Sequence, residues 1–415
     1  MNPAASILAD ADRCVMCGLC LPHCPTFTLT RNEAESPRGR IMLMQALASG
    51  RLEIDATLVR HLDNCLACRA CERMCPSLVP FGQLIDQSRA LLHEQGKLEP
   101  PAVVHRLLDA IEQPAQLRQK AKALRLYQQS GVQWLARNSG LLKGLKLDEL
   151  EQKLPAIPPV EAFAPLYAAR GERRGSVALF LGCLGSIIDQ PALRAAIRML
   201  NRLGYDVHIP AAQQCCGGLH HHQGDVATSQ QMARANIAAF AADQNEAILF
   251  TASGCGAQLA DYGALFGYEG VTFARRVTDI DTFLVKAAWP AQMIPAPLNA
   301  TVAVHDPCTL KNALRQSDAP YRLLERIPLL QVVPLEGNRA CCGAAGVYHL
   351  AHAQTADALR APKVTAAAAS DATYLASANF GCALHIAAGL REQGQAIEVL
   401  HPVVLLDRQL TLAGW

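Results

Sequence analysis

The chain has 415 residues, is 51% hydrophobic and 18% charged, and carries a formal net charge of +2. That length suits two or three packed domains, the composition excludes a disordered chain, and the charge excludes a bulk basic field that would recruit nucleic acid. The longest apolar run, 177–188, is broken by glycines and ends at Asp189, so no membrane-spanning helix is expected.

In chain order, Met1 to Asp12 lack the basic and apolar regions of a secretory signal. The sixteen cysteines are therefore expected to be reduced, in a cytoplasmic protein, with any attachment to the inner face of the cell membrane peripheral. Eight of them follow one spacing used twice: Cys14-x-x-Cys17-x-x-Cys20-x-x-x-Cys24-Pro25 and Cys65-x-x-Cys68-x-x-Cys71-x-x-x-Cys75-Pro76. Zinc sites use pairs of Cys-x-x-Cys, not a triplet closed by Cys-Pro given twice. The spacing is that of a protein with two [4Fe–4S] clusters, in which the fourth cysteine of each run ligates the other cluster. The expected ligand sets are Cys14, Cys17, Cys20 and Cys75 for one cluster, and Cys65, Cys68, Cys71 and Cys24 for the second. Such a protein moves electrons one at a time.

Between the runs, Ser36-Pro37 reads as an N-cap followed by proline at the first helical position. Ile41, Met44, Leu47 and Ala48 share one helical face, and Gly50 stops it. Phe81, Leu84, Ile85, Ser88 and Leu92 repeat the helical period up to Gly96. Residues 1–96 are thus expected as an α-helical two-cluster domain. Arg38 and Arg40 suit either neutralisation of cluster charge or a solvated helix start beside Glu33 and Glu35. Residues 97–170 read as a helical connector that turns proline-rich at Pro155, Pro158, Pro159 and Pro165, with Trp134 as packing.

From residue 171 the chain repeats itself. Cys183, Cys215-Cys216 and Cys255 recur as Cys308, Cys341-Cys342 and Cys382, at offsets of 125, 126 and 127 residues. Strands are expected at 177–181, 205–209 and 247–251 in the first copy, 171–300, and at 301–305, 330–335 and 372–377 in the second, 301–415. Helices between them, such as 191–203, imply parallel sheets. Each cysteine group follows a strand, at the sheet end where ligands bind. His220, His221, His222 and His305 lie close to these groups, as packing residues or as ligands and proton relays. No dinucleotide-binding G-x-G-x-x-G follows a strand, so electrons are expected to come from another chain.

The two cysteine runs, the Ser36-Pro37-Arg38-Gly39-Arg40 stretch and the paired Cys-Cys-Gly repeats together resemble the iron–sulfur subunits of glycolate oxidase. His305-Asp306-Pro307-Cys308, Cys215-Cys216-Gly217-Gly218-Leu219-His220 and Asn379-Phe380-Gly381-Cys382-Ala383-Leu384 carry the more specific part. The resemblance covers nearly the whole chain. It implies an α+β multidomain fold: the helical two-cluster ferredoxin domain, then two tandem α/β CCG domains. It implies an electron-transfer subunit that takes electrons from a partner FAD subunit oxidising a 2-hydroxy acid, glycolate first, and passes them to a quinone-type acceptor. Similar chains serve D-lactate and glycerol-3-phosphate dehydrogenases and heterodisulfide reductases. The full CCG pattern ends in Cys-x-x-Cys; here Ala252 and Gln258 flank Cys255, and Asn379 and His385 flank Cys382, at the positions a second thiol could take. Each copy therefore offers four thiols, enough for a third iron–sulfur cluster or zinc, and disulfide-reducing chemistry is not expected. All eight of these cysteines are candidate metal ligands, with the four of each copy expected to meet at one crevice.

Overall fold

The computed structural model describes residues 3–140, 142, 151, 154–241 and 245–415. The N-terminal region is helical, as expected, and no strand precedes Leu166 among the described residues. Ser36 Oγ accepts the Gly39 N–H at 2.9 Å and Pro37 opens the helix Pro37–Ala48. A side chain at Gly39 would meet the Glu33 carbonyl oxygen at 2.0 Å, so this turn requires glycine. Ile41, Met44 and Leu47 are buried against the helices Pro3–Ala11 and Phe81–Glu94, and Leu84, Ile85 and Leu92 complete that core.

Three helices follow, Ala102–Ile111, Pro114–Gln129 and Val132–Asn138. The helical reading of the connector extends over 141, 143–150, 152 and 153, which lie outside the described residues. Trp134 corrects the expectation of packing: it is 68% exposed, on a seven-residue helix that buries none of its side chains.

The two copies build two sheets. The first contains β1 (Leu166–Tyr167), β2 (Gly175–Leu179), β3 (Tyr205–His208), β4 (Ile248–Phe250) and β5 (Val277–Asp279), in the order β1-β3-β2-β4-β5. The second contains β6 (Ala300–His305), β7 (Leu330–Pro334), β8 (Tyr374–Ser377) and β9 (Glu398–Leu400), in the order β7-β6-β8-β9. Apart from β1, an antiparallel edge strand, all pairs are parallel and the two orders are the same. The first strand of each copy is central, with its second strand on one side and its third on the other. The chain therefore reverses its winding direction beside β2 and β6, which opens a crevice at their C-terminal ends. β5 and β9, three residues each, were not anticipated; a run that short shows no period.

The copies are not separate globules. Val177, Leu193 and Leu200 of the first share one buried cluster with Val302, Leu323, Leu405 and Leu406 of the second. Across this core the Asp407 carboxylate, itself buried, accepts hydrogen bonds from Arg198 and Arg202 at 2.5 Å each. No helix of the described residues is long and apolar enough to cross a membrane.

Candidate functional site

The eight N-terminal cysteines line two cavities. One is bounded by Cys65, Cys68 and Cys71 of the second run and Cys24 of the first; the other by Cys14, Cys17 and Cys20 of the first run and Cys75 of the second. Cys71 borders both. The local reason is the Cys-Pro step. Cys24 is extended and Pro25 opens a new helix, Pro25–Thr30, so the chain leaves its own triplet there. Within each triplet the backbone coils inward. The second and fourth residues after the first cysteine are left-handed: Met16 and Gly18 at φ 57° and 82°, Ala67 and Arg69 at 49° and 57°. For the three non-glycine residues this conformation costs energy, which the surrounding fold must offset.

Pro37 borders both cavities, with Arg38 on one and Arg40 on the other. Arg38 donates to Glu33 at 2.6 Å and to the Met16 carbonyl at 3.3 Å. Arg40 is fully buried, ion-paired to Glu35, bonded to Thr26 at 3.0 Å, and lies 3.9 Å from Cys24 Sγ. Each arginine faces a cavity and is paired to its glutamate; the solvated helix start suits Arg38 but not Arg40, which is buried. Burial pushes the Cys68 and Cys71 thiols well above their usual range, and the neighbouring thiols act the same way. Thiolates there need a cationic centre. The donor set fits an iron–sulfur cluster in each cavity.

The cavities differ in surroundings. The Cys14 cavity lies at the surface: Cys17 is exposed, Val15 is 69% and Leu19 56% exposed, and Leu78 68%. The Cys24/Cys65 cavity faces the second copy. Cys68 packs with Cys308, Cys341, Leu66 and Tyr348, and Asn312 donates to the Cys68 carbonyl at 2.8 Å.

In the CCG copies the cysteines do lie at the C-terminal ends of the strands. They form rows rather than cavities. In the first copy Cys183 Sγ and Cys215 Sγ are 3.2 Å apart, Cys215 touches Cys216, and Cys216 touches Cys255. In the second, Cys308 and Cys341 are 3.9 Å apart and the contacts run on through Cys342 to Cys382. The expected convergence of four sulfurs on one point is not what the described residues show: contacts run from each thiol to the next, and no group of four ligand atoms among them closes within 4.8 Å. Among the described residues one group of three closes to within 4.8 Å of one another: His305, Cys342 and Cys382, all buried. Hydrogen bonds from Cys215 and Cys255 hold the Cys216 thiol well below its usual range. In the second copy the contact with Cys341 works the same way on Cys342, but contact with Cys382 and burial outweigh it and push that thiol up.

His305 Nδ1 is 3.0 Å from Ser377 Oγ, and burial lowers its pKa to about 3, so the ring is neutral. His220 is buried and ion-paired with Asp225; His221 and His222 pair with Asp86 of the helix Phe81–Glu94. Burial alone would raise Asp86, but the two imidazoles hold it well below the carboxylate range. His221 and His222 dock the first copy on the cluster domain, whereas His220 pairs with Asp225 of its own copy and Glu112 of the connector. From its place there His222 also acts on Cys216 of the thiol row, adding to the lowering by Cys215 and Cys255. Sequence reasoning missed Ser377, Lys363 and Asp86. Ser377 closes a strand five residues before Cys382, a position that could have been marked; nothing local singles out Lys363, whose Nζ reaches the Gly337 carbonyl at 2.5 Å.

The cysteine-rich CCG domain family matches residues 177–260 and 302–387, the 4Fe-4S dicluster domain family matches 10–79, and the linker region of glycolate oxidase iron-sulfur subunits matches 105–154. A probable glycolate oxidase iron-sulfur subunit of Bacillus subtilis is 34% identical, over 97% of this chain and 94% of its own. The glycolate oxidase iron-sulfur subunit of Escherichia coli is 32% identical over 91% and 90%. Lactate utilization protein A of Anoxybacillus flavithermus is 28% identical over 56% of this chain and the whole of its own.

Proposed function

The chain belongs to the family of glycolate oxidase iron–sulfur subunits, and from that premise we propose that it carries electrons from a partner FAD subunit, which oxidises a 2-hydroxy acid, glycolate first, to a quinone-type acceptor. The carrying observation is the pair of cavities that share Pro37 and Cys71, each lined by the triplet of one run together with the Cys-Pro cysteine of the other. Two [4Fe–4S] clusters there would supply one-electron steps between a flavin and the acceptor.

The chain's own residues have distinct parts. Cys14, Cys17, Cys20 and Cys75 hold the outer centre, where exposed Val15, Leu19 and Leu78 offer an apolar surface to the donor. Cys24, Cys65, Cys68 and Cys71 hold the inner one, and Arg40 offsets its negative charge beside Cys24. Leu66 and Tyr348 keep water from the wall between that centre and the second CCG copy. The lactate-utilization relatives make lactate the second substrate to test. The anaerobically purified chain should contain about eight iron atoms and as much labile sulfide in the N-terminal domain. Alone it should reduce no dye with glycolate or D-lactate, and an added FAD partner should restore turnover. Robust oxidation by the flavin-free chain, or zinc in place of iron and sulfide, would refute this reading.

A further inference from the structure

We infer that the second CCG copy, and not the first, holds a single zinc-class metal ion through His305, Cys342 and Cys382. The inference stands on the geometry of that copy alone and is independent of the electron-transfer reading.

The ligand atoms of these three residues lie within 4.8 Å of one another, and all three side chains are buried. Ligands around a tetrahedral zinc, with Zn–S near 2.3 Å and Zn–N near 2.0 Å, sit about 3.5–3.8 Å apart. Closing the group therefore takes small side-chain shifts. A cubane, by contrast, needs the open cavity found in the N-terminal domain, and sulfurs in mutual contact leave no such space.

The surroundings match what a metal-bound histidine and thiolate require. His305 Nδ1 is engaged by Ser377 Oγ at 3.0 Å, which leaves Nε2 as the ligating atom and fixes the ring. Asn379 Nδ2 donates to Cys382 Sγ at 3.3 Å. Asn379 stands at one of the two positions where a Cys-x-x-Cys pair would carry another thiol, and there it is a hydrogen-bond donor to Cys382. Lys363, buried, lies in the field of Cys341, Cys342 and Cys382. Its charge lies beside the two thiolates that a divalent ion would bind, while Cys341, which touches Cys342, stays outside the closed group of three.

The first copy lacks each of these parts. Phe180 occupies the place of His305 three residues before the first cysteine, and Phe250 the place of Ser377 five residues before the last. Both rings are buried. Ala252 replaces Asn379, and no three ligand atoms of that copy close to the same distance among the described residues.

The test is zinc analysis with X-ray absorption at the zinc edge, a readout that cluster iron does not enter, on the full chain purified anaerobically from zinc-supplemented cells. The expected result is about one zinc per chain with a mixed nitrogen and sulfur shell that includes one imidazole. Cys382→Ser and His305→Ala should lose the metal while iron and sulfide stay, and Cys255→Ser in the first copy should keep it. A chain without zinc, an all-sulfur shell, or zinc lost with Cys255→Ser and kept with Cys382→Ser would each overturn the inference. The wild-type spectrum decides even where a variant fails to fold.

Discussion

Three residues before its first cysteine, one CCG copy places Phe180 and the other places His305. Strand order, parallel pairing and the row of four thiols are the same in both. Phe180 packs with Phe240 and Phe250 in an apolar core. His305 meets Ser377, Cys342 and Cys382. The copies also differ in what they face: Cys68 of the inner cavity packs on Cys308 and Cys341 of the second, whereas the first meets the cluster domain through His221, His222 and Asp261. A duplicated domain has kept its backbone and divided its side-chain work. Where the first copy has apolar packing, the second has a polar group beside the elements that meet the inner cavity.

The largest expected effect comes from removing one cluster at a time. Cys24→Ser should abolish the inner-cluster signal and drop electron flow through the assembled complex by orders of magnitude. It should also speed hydrogen exchange in residues 306–313 and 338–345 of the second copy, which rest on Cys68 and its carbonyl. Residues 181–185 and 213–218 of the first copy should not change. Cys75→Ser should remove the outer signal and leave both copies as they were. Equal loosening of both copies by Cys24→Ser would show that the first copy, which touches the inner cavity through Arg69 and Asp261, depends on that centre as much as the second, and loss of the outer signal instead would overturn the crossed ligand sets.

The next effect concerns the junction of the copies. Asp407→Ala leaves the buried Arg202 guanidinium without its carboxylate and Arg198 without its partner. Breaking a buried pair in this way costs about 3–5 kcal/mol, discounted here because Arg198 is half exposed. Urea unfolding should show both copies melting together at lower denaturant, since they share one core. Two separated transitions with only one shifted would show them to be independent domains.

Much of this was legible in the sequence. The cysteine spacing marked the cavities, and the 126-residue offset marked the duplication. Six of the strands follow from apolar runs of four to six residues bounded by glycine or polar residues. Their pairing order did not follow, because nothing local in β5 or β9 says which neighbour it joins. The site was less legible than the fold for a related reason. His305 was visible as a candidate, but its engagement depends on Ser377, 72 residues away, and on which way adjacent Cys341 and Cys342 turn. Trp134 misled because an aromatic residue among apolar neighbours usually packs, whereas its helix is held among the described residues by polar contacts, Gln133 and Arg137 to Glu151, and leaves the ring exposed.

A reciprocal swap isolates the side-chain difference. Phe180→His places an imidazole where Phe240 and Phe250 surround it and no serine stands in for Ser377. Burying that polar group unpaired, and losing the ring contact, should cost about 2–4 kcal/mol. His305→Phe should cost less, about 1–3 kcal/mol, mainly from the Ser377 hydroxyl left without its partner. Thermal unfolding of the cluster-loaded chain measures both. A smaller cost for Phe180→His than for His305→Phe would mean that the first copy can also accept a polar centre.

The smallest effect is the pH response of the first copy's docking. His221 is raised above its usual 6.5: burial lowers it, and the hydrogen bond and charge of Asp86 more than reverse that. Its contribution is complete below about pH 6.5 and is lost as pH rises through the raised value. Asp86 is depressed, so its contribution is complete above its usual 3.8 and is lost only as pH falls through the lowered value. The contact between the helices Gly218–His222 and Phe81–Glu94 should thus be firmest between about pH 4 and 6.5 and loosen on the alkaline side. Hydrogen exchange, corrected for its intrinsic pH dependence, should show residues 218–224 gaining mobility from pH 6 to 8.5, and Asp86→Asn should remove that response. The inner face of the second copy at Asn312 and Cys68, held by an uncharged hydrogen bond, should stay unchanged over the same range. The second copy also carries a histidine–carboxylate contact, His352 to Asp63 at 2.8 Å, so a pH response at Asn312 matching that of residues 218–224 would show that this contact, and not the Asn312 hydrogen bond, governs its docking.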